Sequence, residues 1–157
     1  KLNKTLLLLS KIENNQFAEK ETINVNKTIE KQLDIFEDFI ENKELELVMN
    51  TAMDVTIKAN PLLFDMVVSN LISNAIKHNV KGGNITVSTT KLFVSVSNSG
   101  VPTTLDSSSL FERFKKESRS SNSFGLGLAI VKKVCDNYNW KIPLSFAEDQ
   151  HNISIYF

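Results

Sequence analysis

Residues 70–79 read NLISNAIKHN, and the assignment of this decapeptide decides how the rest of the chain is read. Set about 100° apart on a helix, Phe64, Val67, Val68, Leu71, Ile72, Ala75 and Ile76 fill one broad apolar face. Asn70, Asn74 and Lys77 fall within an arc of roughly 60° on the other side. Asn is a mediocre helix former, because its amide competes for nearby backbone groups. A polar stripe of amides and an ammonium, in place of ordinary Glu and Lys, therefore needs a reason. A neutral amide oxygen can complete the octahedral shell of Mg²⁺, which takes its charge balance from phosphates. A Lys ammonium meets a phosphate as a point charge. A solvated helix face is the other explanation, and from this stretch alone the two stand level.

Asn60-Pro61 opens this helix, since Pro is favoured at a first helical position, and Lys81-Gly82-Gly83 is expected to stop it. NITVSTT and KLFVSVS, residues 84–90 and 91–97, read as a tight hairpin. Upstream, TINV suggests an edge strand. Asn26 is expected to cap a helix reaching about Asn42, with Ile29, Leu33, Phe36 and Ile40 on one stripe. ELELVM and DVTIKA alternate apolar and polar residues as half-buried strands do. Downstream, an irregular Ser-rich stretch from about Val101 to Ser123 precedes a helix, GLGLAIVKKVCDNYN, and two closing strands in KIPLSFAEDQHNISIYF. This pattern predicts an α+β fold, a two-layer sandwich with three helices on one face of a mixed, mostly antiparallel sheet.

The 157 residues fit one domain with a substantial core. Lys plus Arg and Asp plus Glu each number 18, so no charge imbalance points to nucleic acid or an acidic membrane surface. The single cysteine, Cys135, excludes an internal disulfide and a Cys-rich zinc site. It lies on the inner stripe of the last helix with Leu128, Val131 and Tyr138, as a core thiol does. Trp140 is expected to pack at the edge of the closing strands. His78 and His151 are too few for a His-based cluster. No apolar run approaches the ~20 residues of a membrane span, so a soluble domain in a reducing compartment is expected. The opening KLNKTLLLLSKIENNQF is apolar on more than one side, which suggests part of a helical bundle continuing upstream.

Three further stretches carry chemistry. In SFGLGLAIV, residues 123–131, Gly125 and Gly127 sit where a loop becomes a helix. N–H groups at a helix start, with no Cβ to block approach, cradle phosphate. The segment lacks the Gly-Lys-Ser/Thr of a Walker loop and the third small residue of a dinucleotide fingerprint, and a plain hinge explains GLG nearly as well. In VSVSNSGVP, residues 94–102, a strand ends at Asn98 and Gly100 permits a sharp reversal. A polar side chain there can read a base edge, although N-S-G is also a common turn. In LFERFKK, residues 110–116, Phe111 and Phe114 lie one turn apart, and Lys115, Lys116 and Arg119 add positive charge. One of these cations can close over a terminal phosphate.

In this order, the Asn helix, strand-end NSG, FERF and GLGLAIV resemble the N box, first glycine box, F box and second glycine box of the ATP-binding domain of bacterial sensor histidine kinases. The resemblance covers about Thr22 to Phe157. It implies the Bergerat (GHKL ATPase) sandwich over residues 21–157, with an ATP lid at about 101–124. Residues 1–20 are then the end of the second dimerisation helix. It further implies ATP and Mg²⁺ as cofactors, with Asn74 the magnesium ligand, Asn70 lining the phosphate site and Lys77 on a phosphate. His78 stands where the family often has an aromatic residue near the nucleotide, with an ordinary surface His equally open. Gly125, Leu126, Gly127 and Leu128 match the second glycine box, which gives backbone N–H groups to the phosphates. Asn98 and Gly100 match the base-reading box, and Lys116 a basic lid residue. The implied partners are the histidine-bearing dimerisation domain of the same homodimeric protein and a cognate response regulator, in the cytoplasm, with no nucleic acid and no direct membrane contact.

Three departures stand out. Asn98 replaces the family's usual Asp, which costs charge assistance worth roughly a factor of two in bond strength. Pro102 replaces a second glycine, and Ser123-Phe124 a Gly-Ser or Gly-Thr. They lead us to expect weak ATP affinity and little selectivity for adenine over guanine. Related gyrase-type ATPases carry a water-activating Glu at the position of Asn70, and an amide cannot be a general base, so hydrolysis should be slow. The phosphate acceptor is expected upstream of Lys1. The alternatives are a degenerate module that serves as an interaction platform, and a serine-directed kinase or ATPase of the same superfamily.

Overall fold

The computed structural model describes residues 2–14, 16–101 and 126–157. Its elements run α1 (Leu2–Glu13), β1 (Glu21–Asn24), α2 (Val25–Ile35), α3 (Glu37–Asn42), β2 (Glu46–Thr51), β3 (Thr56–Ala59) and α4 (Pro61–Lys77). They continue with β4 (Asn84–Thr89), β5 (Phe93–Ser99), α5 (Gly127–Tyr138), β6 (Leu144–Ala147) and β7 (Gln150–Tyr156). Strands β2, β4, β5, β7 and β6 form one mixed sheet in that order, β2 parallel to β4 and the other neighbours antiparallel. β1 and β3 make a separate antiparallel pair.

Strand side chains alternate between faces, and the central strands β4 and β5 follow this alternation. Ile85, Val87, Val94, Val96, Ile153 and Ile155 are all buried beneath the helices. On the other face Asn152 Oδ1 accepts hydrogen bonds from Ser95 Oγ at 2.7 Å and Ser97 Oγ at 2.8 Å. One covered and one hydroxyl-rich face is the signature of a two-layer antiparallel sandwich, as the sequence predicts. α4 lies centrally in the helix layer, packed against both α2 and α5. α1 packs on α5 and places Leu9 and Ile12 in the same core, with Glu13 Oε1 3.3 Å from Lys133 Nζ.

Several local expectations need correction. Asn24, not Asn26, caps α2, its side chain accepting from Lys27 N at 3.0 Å. Asn26 instead ties the helix to the sheet, donating to Ala52 O and accepting from Thr89 Oγ1, both at 2.8 Å. The expected continuous helix to Asn42 breaks at Phe36, whose φ of −99° and ψ of 5° separate α2 from α3. Of ELELVM only the last four residues enter β2, which runs Glu46–Thr51 and is exposed throughout rather than half-buried, as an edge strand of the sheet. α4 ends at Lys77 with His78 as C-cap, short of the glycines. The Lys43 ammonium closes it instead, donating to Ile76 O at 2.6 Å and Lys77 O at 3.2 Å. A cation there also opposes the negative end of the helix dipole. Gly82, at φ +72°, serves the following turn.

Cys135 is fully buried on α5. Burial pushes its thiol up to about 12, with Asp136 adding to the rise and Lys132 opposing it. A folded value above the unfolded one, ~8.5, means that this group's contribution to stability is whole below the unfolded pKa. That contribution is lost as pH rises from there toward about 12. The native thiol is therefore expected to resist a disulfide reagent at about pH 8 and to react at once in denaturant. Rapid labelling of the native protein would contradict this placement.

Candidate functional site

Two close approaches flank the polar stripe of α4. Near its middle, α5 begins against Asn70: a Cβ on Gly127 would lie 2.7 Å from Asn70 Oδ1. A larger residue there would force the Asn70 amide to shift, so glycine suits this approach. Asn70 Nδ2 donates to Met66 O at 2.8 Å, which fixes the amide and turns Oδ1 toward Gly127. At the other end, β5 finishes beside the C-terminus of α4, where a Cβ on Gly100 would lie 3.1 Å from His78 O. Asn74 stands between these closures, half-buried. Its amide makes no hydrogen bond among the described residues, unlike that of Asn70. Lys77 and His78 are exposed at the end of the stripe.

The start of α5 is the second component. Its N-cap is Leu126, buried, and among the described residues no side chain caps the first turn. By contrast, the Asn24 and Asn60 side chains cap α2 and α4. An uncapped helix start holds unsatisfied N–H donors and the positive end of the dipole, which together attract anions. Leu128 turns inward and packs against the core, anchoring that turn. Asn98 is the third component, 4% exposed, with Nδ2 donating to Ser99 O at 2.8 Å. The structure thus brings Asn70, Asn74, Leu126, Gly127 and Leu128 together along α4 and α5, with Asn98 and Gly100 at the far end. Gly125 and Lys116, together with the FERF motif and the lid, lie outside the described residues.

Gly100 has a different reason from the expected chain reversal. Gly82 alone among the described glycines has a positive φ. Gly100 is instead required by closeness, since its Cβ would lie 2.4 Å from His151 Cδ2. Asn79 was likewise missed. Buried, it donates from Nδ2 to Asn84 O at 2.8 Å and accepts from Val80 N at 2.9 Å, joining the end of α4 to β4. Neither role leaves a periodic trace in sequence.

Among the described residues no group of three or more His, Cys, Asp or Glu side chains is placed to hold a metal ion. What these residues offer is amide oxygen, backbone N–H and an exposed lysine. That set suits a cation already charge-balanced by phosphate oxygens better than a bare ion.

A family model described as "Histidine kinase-, DNA gyrase B-, and HSP90-like ATPase" matches residues 59–155, from the end of β3 to the end of β7. The chain belongs to this ATPase family. Among curated proteins it is 34% identical over 152 residues to Heme sensor protein HssS of Staphylococcus aureus strain Newman, covering 92% of this chain and 33% of that protein. The namesake from Staphylococcus saprophyticus is 31% identical over 149 residues, 91% of this chain and 32% of the relative. The chain thus spans about a third of the length of these relatives. Among solved structures, the catalytic domain of histidine kinase ThkA superposes with a TM-score of 0.76 at 25% identity, covering 88% of this chain and 95% of that one. The Acinetobacter baumannii histidine kinase AdeS shares the fold with a TM-score of 0.80 at 23% identity, over 99% of this chain and 76% of the other. Within the ATPase family, the chain is therefore a domain of the sensor histidine kinase type.

Proposed function

We propose that the groove along α4 binds Mg²⁺-ATP, and that in its full-length protein this domain donates the γ-phosphate to a histidine on an upstream dimerisation helix. One observation carries the reading: Gly127 closely approaches Asn70, one turn from Asn74, at a helix start whose N-cap side chain makes no capping bond, and the Asn74 amide makes no hydrogen bond among the described residues. Asn74 would hold the magnesium ion, and Asn70 would line the phosphate site. Lys77 would face a phosphate, and the N–H groups of Gly125, Leu126, Gly127 and Leu128 would cradle the chain. Lys116 would add a lid contact, His78 would flank the nucleotide, and Asn98 with Gly100 would receive the base. The metal supplies charge neutralisation at the phosphates. Asn70 cannot take a proton from water, so ATP persists for transfer. A homodimer, a cognate response regulator and a cytoplasmic setting complete the proposal. Among the described residues no helix is long and apolar enough to cross a membrane.

The test adds Mg-ATP to this chain, then a separately supplied dimerisation domain. A rise in melting temperature with Mg-ATP, and acid-labile phosphate on that second domain, are expected. This chain alone should acquire no phosphohistidine. No thermal response to Mg-ATP would favour the interaction-platform reading.

A further inference from the structure

His151 lies outside every motif that the nucleotide reading uses, yet three contacts join it to the base-reading end of the groove. In the β5–β7 register it stands opposite Asn98, and in the β6–β7 register opposite Phe146. Ile85, Asn98, His151 and Phe146 therefore form one row across four strands, on the helix-covered face. The imidazole packs against the Phe146 ring with centroids 4.6 Å apart. Its Nε2 lies 2.7 Å from Val101 O, one residue beyond Gly100. A carbonyl oxygen only accepts, so Nε2 carries the proton. Gly100 N donates to Asp149 O at 3.0 Å, so the turn is clamped to the β6–β7 hairpin at Asp149 as well as at His151.

What the clamp holds is an amide of fixed orientation. Asn98 Nδ2 is committed to Ser99 O at 2.8 Å, while its Oδ1 makes no hydrogen bond among the described residues. A free amide could rotate to serve either an amino or a carbonyl edge; this one presents an acceptor. Adenine offers an exocyclic amino donor where guanine offers O6, another acceptor. We infer that His151 is the positioning residue for base choice: by holding the Asn98–Val101 turn, it keeps Oδ1 presented as an acceptor that favours adenine over guanine. This rests on the nucleotide reading above. It also replaces the slight selectivity expected from sequence, which rested on the charge assistance lost at Asn98 and on the departures at Pro102 and Ser123-Phe124.

Titration calorimetry with Mg-ATP and Mg-GTP would compare the native chain with His151→Gln, His151→Asn and His151→Phe. Gln places its amide nitrogen near the imidazole Nε2 position and can still donate to Val101 O. Asn is too short, and Phe keeps the ring against Phe146 while donating nothing. The native chain and His151→Gln are expected to prefer ATP by roughly five- to tenfold, and the other two to fall within about twofold of equality. If His151→Phe does not fold, the Gln and Asn pair decides. Nitrogen-15 correlation spectra of the nucleotide-free chain should show neutral His151 protonated at Nε2. An unchanged ratio in a folded His151→Asn, equal native affinities or an Nδ1-protonated ring would each overturn the inference. A native chain that binds neither nucleotide would defeat the nucleotide reading itself, and this inference with it.

Discussion

Asn74→Ala is expected to abolish the stabilisation of this chain by Mg-ATP while leaving the nucleotide-free chain at least as stable as before. The two halves of this result have separate causes. Asn74 is half-buried on the polar side of α4, and among the described residues its amide has no hydrogen-bond partner to strand. Alanine is the better helix former, so the unliganded protein should gain a few tenths of a kcal/mol. Binding should collapse, because removing even an outer partner of a metal ligand costs about 10–100-fold in affinity, and Asn74 is proposed as the ligand itself. At a nucleotide concentration near 100 times Kd the native chain gains about 2.7 kcal/mol. For a domain of this size that is a rise of roughly 5–10 °C in melting temperature. Thermal melts with and without Mg-ATP read both halves at once. Asn74→Asp keeps a hard oxygen at the site and should retain part of the shift. An Asn74→Ala protein whose nucleotide response matches the native one would remove Asn74 from the metal site.

What the sequence discloses and what it hides divide along a physical line. The α4 face, the β4–β5 hairpin and the glycine pair before α5 are local patterns, legible because helix and strand periods are written in consecutive residues. Lys43, by contrast, caps a helix 33 positions downstream, and nothing near it in the chain marks that role. His151 meets Asn98 only because β7 inserts beside β5 in the sheet order, a long-range choice with no local trace. The misplaced cap of α2 has a milder cause: Asn24 and Asn26 give the same signal two residues apart. Pairing of β1 with β3 carries the strand through Asn24, opposite Thr56. The break at Phe36 follows neither Gly nor Pro. Exposure of β2 was hidden because alternation reports two faces, and cannot report that an edge strand has little above either.

Phe64→Ala should give the largest loss of stability of any variant considered, about 3–5 kcal/mol. Phe64 is fully buried in the second turn of α4. Trp140 meets it edge-on at 6.2 Å between centroids and Phe157 at 6.3 Å. Trp140 in turn stacks on Tyr138 at 4.6 Å and meets Phe157 at 5.3 Å. One side chain thus joins α4, the end of α5 and the chain's last residues. Truncation leaves a cavity between rigid rings that cannot collapse into it, which places the cost toward the upper part of the range. Urea unfolding should show a lower midpoint with an unchanged slope, because the surface exposed on unfolding stays nearly the same. The melting temperature should drop by roughly 10–20 °C. Ten residues separate Phe64 from Asn74, about 15 Å along the helix. The fraction still folded should therefore bind Mg-ATP with close to native affinity, and saturating nucleotide should restore part of the lost stability. A loss below about 1 kcal/mol would mean that the aromatic cluster is loosely packed. Native stability with lost binding would instead show α4 transmitting a change at one end to its polar stripe at the other.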